Sequence, residues 1–216
     1  MSMVKVLNNI TDLKNYKMFN LISFYLKNKE QVCIGITGAG GAGKTTLAIN
    51  LVNYFGVDNS LAIDLDDYLI SREERGKLGL TGYQPEANNL ILAREQILEL
   101  KKGNEIKKPV YDHSTGKRER FEIVIPKPIM IFEGVTTLYD ELDDVYDLSI
   151  FLDALEETQI KSRIERDVNI RSYTIDEALE LYKNLKPYYA KYIEPTKKKA
   201  NIIGEVGADY VIHIKV

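Results

Sequence analysis

The feature that most constrains this sequence is a glycine-rich segment set between an apolar run and a helical stretch. Residues 38–45 read Gly-Ala-Gly-Gly-Ala-Gly-Lys-Thr and match the pattern G-x-x-x-x-G-K-[ST]. Gln31–Thr37 (QVCIGIT) precedes the segment and predicts a buried strand, and Thr45–Phe55 follows it and predicts a helix. Glycines let backbone N–H groups wrap closely around phosphate oxygens, and a helix N-terminus strengthens the attraction. The sequence therefore predicts a phosphate-binding loop.

The residues of this loop share the binding of a nucleoside triphosphate. We expect Lys44 to contact the β- and γ-phosphates and the Thr45 hydroxyl to bind Mg²⁺. ATP and Mg²⁺ are thus the expected cofactors. The predicted nucleotide-binding residues are Gly38, Ala39, Gly40, Gly41, Ala42, Gly43, Lys44, Thr45 and Thr46.

The composition narrows the class of protein. The 216 residues, 44% hydrophobic and 28% charged, suffice for one soluble domain spanning residues 1–216. A formal net charge of -3 gives no basic field for nucleic acid. No stretch reaches the ~18 consecutive apolar residues of a membrane span, and no signal-peptide pattern opens the chain. We therefore expect a cytoplasmic protein without nucleic-acid or membrane partners. Cys33 is the only cysteine, which excludes an internal disulfide.

Short apolar strands alternate with helical stretches along the chain. This alternation predicts an α/β fold, with a parallel sheet flanked by helices on both faces. Further strands are predicted at Ser60–Leu65, Pro128–Phe132, Leu148–Leu152, Ala200–Ile203 and Tyr210–Ile214, and further helices at residues 10–29, 87–102, 155–168 and 175–192. The leading helix leaves pairing with a second copy of the chain open, although packing on its own domain is the simpler account.

Residues 71–125 are predicted to form a substrate flap. Ser71–Asn89 is charged and lacks periodicity, which indicates a loop or lid. Ile106–Tyr111 and Arg120–Ile125 flank the turn-like His113–Lys117 and predict a β-hairpin.

Carboxylates follow the predicted strands, at the edge of an open α/β sheet where ligands bind. A phosphotransferase needs one carboxylate to take the proton of an acceptor hydroxyl and another to hold Mg²⁺. Asp66 is the candidate base and Glu133 the candidate metal-side residue, while Asp64 and Asp67 are weaker candidates. Asp153 is expected to be structural. The alternative is that these acidic residues only cap strand ends or helices.

Two arginines three residues apart, Arg163 and Arg166, lie on one face of a predicted helix. No acidic residue at helical spacing neutralises Arg166, which favours a role in closing over the transferring phosphoryl group. Arg166 is therefore a catalytic candidate beside Lys44 and Asp66.

With these residues in place, the chain resembles the uridine kinase/phosphoribulokinase family of P-loop kinases from about Val32 to Val206. The resemblance rests on the order and spacing of GITGAGGAGKTT, DLDDYL, PEANN, KPVYDHSTGKR, IFEG, RIERD and YIEPTKKKANII. It implies a P-loop NTPase-type fold with a substrate-binding hairpin and a helical lid at residues 163–174. It also implies transfer of the γ-phosphate of ATP to an alcohol, with Asp66 as base and Glu133 assisting Mg²⁺. The implied contacts to the acceptor or the phosphates are Tyr68, Tyr111, Asp112, His113, Arg118, Arg163 and Arg171.

The acceptor stays open between two small-molecule classes. Length favours a nucleoside such as uridine or cytidine, which we rank first. Uridine kinases, however, usually follow PVYD with an aromatic residue and then a histidine that hold the base, and here those places are His113 and Gly116. The alternative is a sugar phosphate such as ribulose 5-phosphate, whose phosphate could be held by Arg72, Arg75, Lys117 and Arg118. A nucleotide-hydrolysing switch or partner-binding ATPase is the rival from another class, and the hairpin weighs against it.

Overall fold

The computed structural model describes residues 16–27, 29–169 and 173–215. Its main sheet has six strands in the order β2-β5-β1-β6-β7-β8. These strands are β1 (Val32–Gly38), β2 (Ser60–Asp64), β5 (Ile129–Glu133), β6 (Leu148–Ala154), β7 (Ile202–Val206) and β8 (Ile212–Lys215). Neighbouring strands are parallel except β7 and β8, which are antiparallel. β3 (Ile106–Asp112) and β4 (Lys117–Val124) form a separate antiparallel hairpin, as the sequence predicts.

Helices cover both faces of the sheet, so the predicted α/β fold is confirmed. They are α1 (Tyr16–Leu26), α2 (Lys44–Phe55), α3 (Arg72–Leu78), α4 (Leu90–Lys101), α5 (Glu156–Asn169) and α6 (Ile175–Tyr188), with 3₁₀ turns at Leu65–Tyr68, Pro85–Ala87 and Glu194–Lys199 and a π-helical turn at Tyr189–Ile193. Alternate residues of β1 point to opposite sides. Ile34 and Ile36 lie in the core with α1 and α2, whereas Cys33 lies in the core with α4.

Several predicted boundaries differ from the observed ones. The leading helix is seen from Tyr16, and residues 10–15 and 28 of the prediction lie outside the described residues. Helix α4 begins at Leu90 because Asn89 caps it, accepting a hydrogen bond from the Leu92 N–H at 3.2 Å. The two last strands, β7 and β8, begin two residues later than predicted.

Helix α3 lies in Ser71–Asn89, where the sequence predicts no regular structure. Its start is a capping box, in which Ser71 Oγ accepts from the Glu74 N–H at 3.2 Å and Glu74 Oε2 accepts from the Ser71 N–H at 3.0 Å. No side chain of α3 is buried. An apolar periodicity is therefore missing, and only the S-x-x-E pattern could have revealed this helix.

The sheet brings the predicted site residues to one edge. Asp64 and Ile36 are both register partners of Glu133 in β5, so the ends of β2, β5 and β1 lie side by side. The phosphate-binding loop follows β1 directly at this edge. Among the described residues, no helix is long and apolar enough to cross a membrane. The cytoplasmic location stays a prediction.

Candidate active site

Close packing makes glycine necessary in the phosphate-binding loop, residues 38–45. Gly38 has a φ of +142°, and a Cβ there would lie 2.3 Å from the carbonyl oxygen of Leu152 in β6. Gly41 has a φ of +84°, and a Cβ there would lie 2.5 Å from the carbonyl oxygen of Gln159 in α5. Both positions combine a left-handed backbone with contact to neighbouring main chain. The loop is thus held between β6 and α5, with its backbone available to a phosphate.

Lys44 lies across the mouth of this loop. Its ammonium donates hydrogen bonds to the carbonyl oxygens of Gly38 at 3.1 Å and Ala39 at 3.0 Å. Burial lowers the pKa of Lys44, and the nearby carboxylates of Glu133 and Asp66 oppose that shift. A bound triphosphate would supply further negative charge and favour the ammonium form.

Thr45 and Glu133 form a pair of oxygen donors at the base of the loop. The Thr45 hydroxyl donates to Glu133 Oε1 at 2.6 Å, and Glu133 is only 4% exposed. Burial raises the pKa of Glu133, while Lys44 and the Thr45 hydrogen bond lower it. Hydroxyl and carboxylate oxygens are ligands that Mg²⁺ prefers. The residues present thus match the predicted metal site.

The structure separates the three aspartates that follow β2. Asp64 Oδ1 accepts from the Asp66 N–H at 2.8 Å and so caps the 3₁₀ turn. Asp67 is engaged by the buried Lys108 and by the Tyr111 N–H, the latter at 2.7 Å. Asp66 lines the main cleft together with Lys44. Of the three, Asp66 is the one that faces the site, which agrees with its predicted role as base.

The arginines of α5 line the same cleft. Arg163 is 4% exposed, and its guanidinium would lie 3.1 Å from a Cβ placed on Gly40, so it reaches the phosphate-binding loop. Arg166 also lines the cleft, but Asp167 accepts its Nε hydrogen bond at 2.9 Å. The expectation that Arg166 has no acidic neighbour is therefore wrong, because the partner is the next residue rather than one at helical spacing. Arg171 lies outside the described residues.

The opposite wall of the cleft is also basic. The cleft has a volume of about 420 Å³, and Arg72, Arg75, Tyr111 and His113 line it on the side of the flap. Arg75 donates to the Tyr111 hydroxyl at 2.9 Å, and Arg72 donates to the His113 carbonyl oxygen at 2.6 Å. The rings of Tyr111 and His113 meet edge to face, with centroids 5.0 Å apart. Helix α3 and the hairpin therefore form one connected wall.

Three predicted acceptor residues are not brought to this cleft. The Tyr68 side chain is 1% exposed, and its hydroxyl donates to Gln96 Oε1 in α4 at 2.7 Å, so it belongs to the core. Asp112 folds the hairpin turn by accepting from the Ser114 N–H at 2.9 Å. Arg118 approaches the Tyr68 carbonyl oxygen at 3.5 Å. The structure corrects these placements, since the hydrogen bonds of all three serve the scaffold around the site.

Tyr83 is a site residue that the sequence did not reveal. Its hydroxyl accepts from Arg163 Nη1 at 3.1 Å and would lie 2.8 Å from a Cβ placed on Gly40. Tyr139 donates to the Tyr83 carbonyl oxygen and so fixes the backbone. Residues distant in the chain make these contacts, and its place directly before the QPEANN segment was the only signal.

A second cavity, of about 210 Å³, borders the other side of the phosphate-binding loop. Ala42, Gly43, Thr46, Asn50, Val206 and Tyr210 are among the residues that line it. Its walls are largely apolar, with one aromatic ring and one amide. Such a cavity suits a flat heterocycle that has a few polar atoms.

Comparison with known proteins agrees with this geometry. A sequence model of the Phosphoribulokinase / Uridine kinase family matches residues 33–213. The chain is 38% identical over 177 residues to a phosphoribulokinase of Synechocystis sp., covering 81% of this chain and 53% of that protein. It is 37% identical over 195 residues to a uridine kinase of Clostridium novyi, covering 86% of this chain and 92% of that protein. The chain thus spans about half the length of the phosphoribulokinases it matches.

Solved structures share the fold. A D-glycerate 3-kinase from Cryptococcus neoformans superposes with a TM-score of 0.69 at 17% identity, covering 93% of this chain and 98% of that chain. A possible uridine kinase from Bacillus stearothermophilus gives a TM-score of 0.65 at 21% identity, covering 88% and 96%. At these identities the likeness concerns the fold alone.

Proposed function

Because this chain belongs to the phosphoribulokinase and uridine kinase family, we propose that it transfers the γ-phosphate of ATP to a small hydroxyl compound that already carries a phosphate, such as a sugar phosphate. The observation that carries the proposal is the distribution of cations in the cleft. Lys44, Arg163 and Arg166 surround the phosphate-binding loop, while Arg72 and Arg75 lie on the opposite wall with Tyr111 and His113. Asp66 is the one carboxylate in the cleft lining.

The second pair of arginines is what separates a phosphorylated acceptor from a neutral one. Guanidinium groups bind phosphate through charge-assisted hydrogen bonds, whereas a neutral nucleoside gains little from them. The places where uridine kinases usually hold the base are His113 and Gly116 here. Gly116 has a φ of +74° and packs against Arg72, so it offers no ring for stacking. These observations reverse the order of preference expected from the sequence.

The chemistry follows from the side chains around the cleft. Asp66 takes the proton of the acceptor hydroxyl as its oxygen attacks the γ-phosphorus in line, and the proton remains on the carboxylate. Lys44, Arg163 and Arg166 stabilise the negative charge of the transition state. Thr45 and Glu133 would hold Mg²⁺, which neutralises the phosphates when bound. The cavity beside Thr46 and Tyr210 would receive the base of the nucleotide.

A nucleoside acceptor is the second candidate. One observation favours it: the chain aligns with 92% of the Clostridium novyi uridine kinase but with only about half of each phosphoribulokinase. A chain of this size therefore resembles the nucleoside kinase in extent, whereas the cleft resembles a site for an anionic acceptor.

An acceptor screen tests the proposal directly. Formation of ADP would be followed by a coupled assay with ATP and Mg²⁺ plus either sugar phosphates, including ribulose 5-phosphate, or uridine and cytidine. We expect ADP formation to depend on a phosphorylated acceptor. Turnover with uridine or cytidine alone would select the second candidate, and ADP formation without any acceptor would indicate a nucleotide-hydrolysing protein instead.

A further inference from the structure

Strand β4 forms the free edge of the hairpin. Among the described residues it pairs with β3 alone. The far edge of β3 is covered, since the Tyr111 N–H donates to Asp67 at 2.7 Å and the Lys107 carbonyl oxygen accepts from Gln96 at 2.9 Å. A free edge presents a row of N–H and C=O groups that another strand can pair with, and proteins usually protect such edges.

The usual forms of protection are missing from β4. The strand is eight residues long and contains no proline, and the irregularity of the hairpin lies in β3, between Val110 and Asp112. Phe121, Ile123 and Ile125 alternate along the chain and are 54%, 59% and 65% exposed. Alternate residues project from the same face of a strand, so these side chains form one exposed apolar row. A long, apolar, unpaired edge indicates an interaction surface.

The charges of β4 identify the partner. We propose that β4 pairs antiparallel with β4 of a second copy of this chain, about a two-fold axis at Phe121. This register aligns residues 118–124 of both strands and places Arg120 opposite Glu122 twice. An axis at Arg120 or at Glu122 would instead bring like charges together. The alternating charges that would repel many other strands thus match a second β4.

The surroundings of both charged residues agree with this pairing. Glu122 contacts the Lys108 ammonium at 3.0 Å through Oε1 and is still 53% exposed at its side chain, so its second oxygen is accessible to Arg120 of the partner subunit. The hairpin packs on the rest of the chain through β3, against the 3₁₀ turn Leu65–Tyr68 and helix α4. The β4 edge therefore lies on the side that leaves room for the second hairpin.

This pairing has a consequence for the active site. The two hairpins would form one four-stranded sheet, and each hairpin carries Tyr111 and His113 in the wall of its own cleft. A two-stranded hairpin is marginal in isolation, whereas a wider sheet is more stable. Dimer formation would thus stiffen the acceptor wall of both subunits.

Sedimentation velocity of the full chain tests the proposal. A single edge contact is smaller than a standard interface, so we expect a concentration-dependent dimer with a dissociation constant on the order of micromolar to tens of micromolar. Phe121→Lys would place two ammonium groups on the axis, and Arg120→Glu would set carboxylates against Glu122. Each variant is expected to raise the dissociation constant roughly tenfold or more.

Ile91→Lys is the matched control, because Ile91 is 72% exposed on α4, away from the hairpin. It should leave the dimer unchanged, and far-UV circular dichroism with thermal unfolding would show that each variant is folded. Two results would overturn the proposal: a wild-type chain that stays monomeric at about 100 µM, well above the expected dissociation constant, or a dimer that Phe121→Lys and Arg120→Glu leave intact or weaken no more than Ile91→Lys does.

Discussion

The Thr45 hydroxyl donates a hydrogen bond to Glu133 Oε1 at 2.6 Å, and this contact joins the first turn of α2 to the end of β5. Two residues 88 positions apart in the chain thereby form one oxygen-donor pair. Neither is a metal site by its residue type alone. Their contact is what links the phosphate-binding loop to the acidic edge of the sheet.

Replacing Thr45 tests this pair. Thr45→Val preserves the shape of the side chain but removes the hydroxyl, so Mg²⁺ would lose a ligand and Glu133 its hydrogen-bond donor. We expect phosphotransfer at limiting Mg²⁺ to fall roughly 10–100-fold. Thr45→Ser keeps the hydroxyl and is the control, for which activity near that of the wild type is expected. Equal Mg²⁺ dependence in the valine and serine variants would exclude Thr45 as a ligand.

Arg75 tests the anionic acceptor. Arg75→Gln removes a guanidinium from the flap wall, and hydrogen bonds to charged groups contribute about 1.5–3 kcal/mol. The KM for a phosphorylated acceptor should therefore rise roughly tenfold or more, with little change in the KM for ATP. Tyr111→Phe removes the hydroxyl that Arg75 binds but keeps its charge, and it should raise the acceptor KM much less. Similar effects of both substitutions would show that Arg75 acts only by positioning Tyr111.

Two glycines give a matched pair for the flap. Gly116 has a φ of +74°, and a Cβ there would lie 2.6 Å from Arg72 Cβ, whereas a Cβ on Gly76 in α3 would meet nothing within 4 Å. Gly116→Ala should destabilise the hairpin turn by about 1–2 kcal/mol and raise the acceptor KM. Gly76→Ala should stabilise α3 by up to about 1 kcal/mol. Thermal unfolding and acceptor kinetics would check both signs, and a harmless Gly116→Ala would contradict the tight contact with Arg72.

Cys33 should be chemically inert in the folded chain. Burial raises the pKa of its thiol to about 12, so at pH 8 only about one thiol in ten thousand is ionised. We expect iodoacetamide to leave native protein unlabelled and to label it rapidly in denaturant, as followed by mass spectrometry. Rapid labelling of the native protein would contradict the buried position of Cys33 in β1.

The parts of the fold that sequence reasoning predicted are those encoded locally. The strand–loop–helix around Lys44 has its own pattern, and the position of Glu133 follows from the rule that parallel strands end at one edge. Helix α3 escaped prediction because its stability comes from the Ser71–Glu74 capping box rather than from a buried face. Tyr83 escaped because its contacts with Arg163 and Tyr139 join distant parts of the chain.

The role of Asp66 shows the same limit from the other side. The sequence offered three aspartates after β2, and residue type could not separate them. The structure separates them by their partners, since Asp64 caps the 3₁₀ turn and Asp67 binds Lys108 and the Tyr111 N–H. Asp66 lines the cleft beside Lys44, which makes it the residue on which the proposed mechanism depends.

The most direct test of phosphotransfer compares the wild-type chain with Asp66→Asn. Mass spectrometry would follow the acceptor for the gain of one phosphoryl group, and calorimetry would measure the affinity for ATP. We predict that the wild type phosphorylates the acceptor and that Asp66→Asn loses roughly 10²–10⁴-fold in turnover while ATP affinity is largely kept. Unchanged turnover in Asp66→Asn, or ADP formation by the wild type without any phosphorylated product, would contradict the account.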